Sequence, residues 1–95
     1  MLGNLYNNLG SGYKLKQDWP QARQWLEKSR SHNRALAGDS AAVLAYTYFH
    51  LAGVAQAEGQ TPLSREYAQK SLALAERRKL AELRAEVEAF LKENR

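Results

Sequence analysis

Tyr6-Asn7-Asn8-Leu9-Gly10 is answered 42 residues later by Tyr48-Phe49-His50-Leu51-Ala52, and that correspondence decides the fold. In the same ungapped register Leu2 meets Leu44, Pro20 meets Pro62, Arg23 meets Arg65, Lys28 meets Lys70 and Ser29 meets Ser71. Gly10 falls on Ala52, Ala22 on Ser64 and Trp25 on Tyr67, so small positions stay small and aromatic positions stay aromatic. A repeat of this length marks a supersecondary unit that buries its apolar face only by stacking on neighbours.

Each unit reads as helix, turn, helix. Leu2, Leu5, Tyr6, Leu9 and Tyr13 recur at three and four residues, the face of an amphipathic helix. Gln17-Asp18 then turns the chain. Pro20 sits in the opening turn of the next helix, where a missing N–H costs nothing. Asp18 is placed to cap that helix, with Gln21 completing a capping-box pattern. The second helix buries Ala22, Trp25, Leu26 and Ser29, runs on to Ala35–Ala37 and stops at Gly38. Asp39-Ser40 caps the third helix, which runs to about Glu58 before Gly59 ends it. Thr61-Pro62 opens the fourth, with Leu63, Tyr67, Ala68, Ser71, Leu72 and Ala75 inward. Leu80, Leu83, Val87 and Phe90 form the stripe of a last helix, with Glu82, Arg84, Glu86, Glu88 and Lys92 outside. No Gly or Pro separates it from the fourth, so one continuous long helix is the alternative. The repeat register places Phe90 opposite Tyr48, which predicts a turn near residues 78–80 and a capping helix beyond.

Composition narrows the functional classes. The 95 residues allow one domain, divided into repeat one at 1–38, repeat two at 39–79 and a capping helix at 80–95. Cysteine is absent, which removes disulfides, thiolate nucleophiles and thiolate metal sites. The stretch 41–57 holds Thr47, His50 and Gln56 and falls short of a membrane span. With no secretory leader visible either, a soluble, cytoplasmic protein is expected. No phosphate-binding glycine loop, nucleophile elbow or helical pair of histidines is present, so neither an enzyme nor a cofactor or metal protein is expected.

The residues resemble the tetratricopeptide repeat in its long, 42-residue form. That family's pattern runs aromatic, leucine-glycine, tyrosine, and then small, large and small residues before a proline. Tyr6, Leu9-Gly10, Tyr13, Ala22, Leu26 and Ser29 supply it in unit one. Tyr48, Leu51-Ala52, Ala55, Ser64, Ala68 and Ser71 supply it in unit two. Asn7-Asn8-Leu9-Gly10 is especially similar to the long-repeat branch. Arg34 replaces the closing proline, and Ala55 and Ala68 replace bulky residues, so unit two is expected to pack more thinly.

The resemblance implies an all-α superhelix of stacked helical hairpins, two repeats plus a cap, acting as a scaffold for a protein or peptide. First helices of successive units would line a concave groove. Its residues would be Asn4, Asn7, Asn8, Ser11 and Lys14, then Tyr46, Phe49, His50, Gly53 and Gln56, and Glu88 and Lys92 from the cap. An asparagine amide both donates to and accepts from an extended backbone, and Tyr46 with Phe49 would anchor a partner side chain. Both aromatics could instead be covered, by a neighbouring unit or by another copy of the chain. The subclass that clamps chaperone C-termini uses Lys, Asn and Arg. The corresponding places here hold Asn7, Ser11, His50, Glu88 and Lys92, which argues against that ligand.

Three alternatives accompany the scaffold reading. Two and a half units fall below the usual three, so the chain is expected to be part of a larger repeat protein or, alternatively, to self-associate as a structural homo-oligomer. Long repeats of this kind also resemble the sensor halves of bacterial transcription regulators. The net charge of +4, with Arg77-Arg78-Lys79 and Arg23, Lys28, Arg30 and Arg34, raises a nucleic-acid surface, although a solvated convex face explains it more simply.

Overall fold

The computed structural model describes residues 2–35 and 40–93, with side chains described over 5–33 and 42–93. The expected stop at Gly38 and cap at Asp39 lie outside these residues, as do the side chains of Asn4, Arg34 and Ser40. Five helices follow one another: α1 (Leu2–Leu15), α2 (Trp19–Ala35), α3 (Ser40–Ala57), α4 (Thr61–Arg77) and α5 (Ala81–Glu93). Among the described residues there is no strand.

α1 packs on α2 and α3 on α4 as hairpins, α2 stacks on α3, and α5 packs on α4. α3 is surrounded by α1, α2 and α4, and this explains its lack of a polar face: Ala45, Thr47, Tyr48, Leu51, Ala52, Val54 and Ala55 are all buried. Ala22 and Leu26 from α2, Tyr67, Ala68 and Ala75 from α4, and Leu83 and Val87 from α5 complete the core. Each leucine or valine among them contributes about 1.5–3 kcal/mol of transfer free energy.

The two hairpins repeat each other in detail. Tyr6 stacks on Trp25 with ring centroids 5.8 Å apart, and 42 residues on Tyr48 stacks on Tyr67 at 6.0 Å, both pairs inclined at 28°. The crossing point differs instructively. In unit one Gly10 meets Leu26; in unit two both positions are alanine, and Ala52 and Ala68 are fully buried. The shorter Ala68 faces a larger Ala52, so part of the volume lost on one helix is returned by the other.

Three turns share one hydrogen-bonding scheme. Gln17, Gly59 and Lys79 take the left-handed conformation at φ of 62°, 78° and 58°. The next residue's N–H reaches back to the carbonyl five before it: Asp18 to Tyr13, Gln60 to Ala55 and Leu80 to Ala75. This is the Schellman closure. The α4–α5 break therefore lies where the repeat register places it, at a lysine rather than a glycine. Asp18 caps α2 weakly, accepting from the Gln21 N–H at 3.4 Å. The reciprocal half of the expected capping box has no donor left, because the Asp18 N–H is spent on Tyr13 at 3.0 Å.

Candidate functional site

The first-helix face is built by α1, α3 and α5, and its centre is Lys14. The ammonium of Lys14 lies 5.6 Å from the centroid of the Phe49 ring. The Phe90 ring from α5 meets Phe49 edge-on at 5.8 Å, and His50 flanks Phe49 at 6.2 Å. Tyr46, Phe49, His50 and Gly53 occupy i, i+3, i+4 and i+7 of α3 and so share one face. Tyr46 is 40% exposed at the edge of that strip.

Gly53 makes room for Lys14. A Cβ at residue 53 would fall 2.8 Å from both Cε and Nζ of Lys14. Burial against Phe49 and α3 holds the Lys14 pKa below its ordinary value, and the charge of Glu86 on α5 acts in the opposite direction. Among the described residues no carboxylate comes within salt-bridge distance of Lys14. His50 is pushed down to about 4, first by burial and then by the Lys14 charge, so it is neutral at pH 7. Its Nδ1 is buried without a hydrogen-bond partner.

Asn7 serves the fold as well as the surface. Thr47 Oγ1 lies 2.9 Å from Asn7 Oδ1 and 3.0 Å from the Val43 carbonyl, and donates its one proton between them. Ser29 Oγ, 2.9 Å from Thr47 Oγ1, then acts as donor to it, and Asn33 Nδ2 donates to the Ser29 carbonyl at 2.7 Å. This relay crosses α1, α2 and α3 where the two units meet. Asn7 and Ser11 are half-buried and Asn8 is exposed on the same helix. Gln56 is exposed at the far end of α3.

Glu88 and Lys92 do not join the Lys14 cluster. They line an open groove of about 1000 Å³ beside Arg65, Ala85, Ala89 and Leu91, between α4 and α5. Glu86, which the helical stripe placed outside, is the acidic residue whose charge reaches Lys14. Its signal in the sequence is faint: one helical turn before Phe90, on a helix rich in other glutamates.

The opposite face is occupied with its own charges. Arg23 pairs with Glu58, Arg30 with Glu27 and Lys70 with Glu66, and Lys28 lies 4.6 Å over the Trp25 ring. Tyr67 donates to Glu27 at 3.2 Å. Of the basic residues that suggested a nucleic-acid surface, Arg23, Lys28 and Arg30 are thus engaged with neighbours. Among the described residues no helix is long and apolar enough to cross a membrane. No cluster of His, Cys, Asp and Glu among them could hold a metal ion.

Antiparallel helical hairpins in register, crossing at small residues and stacked through a shared third helix, define an α-α repeat protein. The tetratricopeptide repeat family model matches residues 1–77, and the chain belongs to that family. No curated protein and no solved structure matches the chain.

Proposed function

We propose that this chain is a protein-interaction module whose α1–α3–α5 face holds an extended segment of a protein partner, with α5 as the cap of the two-repeat stack. The observation that carries this reading is the strip Tyr46, Phe49, His50 and Gly53. It is uncharged at neutral pH and partly exposed, and the Asn7 amide is held next to it by Thr47. Such a strip offers an aromatic anchor with hydrogen-bonding groups beside it, the anatomy of a peptide-binding groove. Panning a displayed random-peptide library on the protein tests the reading. Selected peptides should lose binding to Tyr46→Ala and keep it with Lys28→Ala on the opposite face. No enrichment, or enrichment indifferent to Tyr46, would refute it.

A self-association reading has its own support at α1. Leu5 is 51% exposed, whereas its register counterpart Thr47 is fully covered by the preceding unit. Likewise Trp25 Nε1 has no hydrogen-bond partner, whereas its counterpart Tyr67 donates to Glu27 of the preceding unit. A second copy packed on this face would cover Leu5. Light scattering should then report a dimer that Leu5→Asp dissociates; a monomer at every concentration would rule it out.

A further inference from the structure

Lys14 is the one element of the groove whose arrangement specifies a ligand's charge. From the geometry around it we propose that the Lys14 ammonium, seated on Phe49 in the space left by Gly53, receives a side-chain carboxylate of the partner segment. The proposal rests on the groove reading above and names the chemistry at its centre.

Three independent features support it. First, the ammonium is drawn into the groove rather than released to water, lying against an aromatic face and over a residue with no side chain. A lysine stem normally extends its charge outward, so this placement costs solvation. Second, no carboxylate of the described chain closes on it to offset that cost; Glu86 acts only from a distance. A part-buried charge without a partner binds an incoming opposite charge more strongly than an exposed one does. Third, the adjoining His50 carries a buried Nδ1 with no hydrogen-bond partner among the described residues.

The features also favour an acidic side chain over a chain terminus. Asn7 and Ser11 share the Lys14 face of α1, and the Phe49 and Phe90 rings lie on the other side of the ammonium. A segment therefore passes across Lys14 and does not stop there. The neighbouring His50 is neutral, so the seat presents one positive charge, matched to one carboxylate.

Three short probes separate the outcomes in an NMR titration that follows the Lys14 ε-methylene and the His50 ring protons. They are acetyl-Ala-Glu-Ala-amide, its glutamine analogue, and acetyl-Ala-Ala-Ala with a free carboxylate. The glutamate probe should bind about tenfold more tightly than the glutamine probe, the difference a charge-assisted hydrogen bond supplies. Lys14→Met, which keeps the stem and removes the charge, should abolish that preference. Equal response to glutamate and glutamine, or a preference that survives Lys14→Met, overturns the proposal. Stronger binding of the free-terminus probe overturns the side-chain assignment. Library peptides that depend on Tyr46 but not on Lys14 would refute the seat and leave the groove standing; a library that enriches nothing removes the groove itself.

Discussion

Gly10 and Leu26 occupy one space: a Cβ on residue 10 would lie 2.5 Å from Leu26 Cγ and 3.2 Å from its backbone nitrogen. Leu26 is fully buried and its neighbours hold it. Gly10→Ala should therefore destabilise the protein by about 1–3 kcal/mol through overpacking, less the small gain in helix propensity. Gly53→Ala tests the contrast. There the obstruction is the flexible end of Lys14, which can swing away, so stability should rise by about 0.5–1 kcal/mol. Urea midpoints of the two variants should move in opposite directions. The Lys14 pKa should climb back toward its ordinary value in Gly53→Ala.

The left-handed residues Gln17 and Lys79 bear a steric cost that Gly59, at the equivalent turn, avoids. Gln17→Gly and Lys79→Gly should each stabilise by about 0.5–1 kcal/mol, the αL penalty being partly offset by the freedom glycine adds to the unfolded chain. Gly59→Ala should destabilise by about 1 kcal/mol. Thermal denaturation of the three single variants checks the set.

His50 makes stability depend on acid. Its folded-state pKa of about 4 lies below the ordinary 6.5, so the unfolded chain takes up a proton that the folded chain refuses. The contribution is fully present above pH 6.5 and is lost as pH falls from there toward 4. Over that window the loss is about 3 kcal/mol at most. The groups facing His50 are Lys14 and the Phe49 ring. Urea midpoints measured between pH 7 and pH 4.5 should fall more steeply for the native chain than for His50→Asn; parallel slopes would contradict the assignment.

Thr47 joins the two units through one hydroxyl. Thr47→Val keeps the shape and removes the group that both donates to Asn7 and accepts from Ser29. The cost should be about 1–3 kcal/mol, the price of a broken buried network. Most of the interaction energy should appear as coupling in a double-mutant cycle with Asn7→Ala.

The hairpins were legible because their signals are local. The 42-residue register, Pro20, Pro62 and Gly59 mark helices and turns without any tertiary information. The α4–α5 break was harder, since Lys79 is no turn former, and only extension of the register located it. The site was less legible for a physical reason. The seat of Lys14 depends on a residue 39 positions away, and the Asn7–Thr47 bond joins different units. One signal was present: a glycine in the middle of α3 costs about 1 kcal/mol relative to alanine and asks for a close contact to explain it. Glu88 and Lys92 are expected on the partner face from the resemblance alone, and they line the open groove between α4 and α5.

The most direct measurement is amide and side-chain shift mapping by NMR with a library-selected peptide bound to the native protein. The account predicts the largest perturbations at Lys14, Tyr46, Phe49, His50 and Gly53, with Trp25, Lys28 and Tyr67 unmoved. A footprint centred on Trp25 and Lys28, or on Leu5, would contradict it.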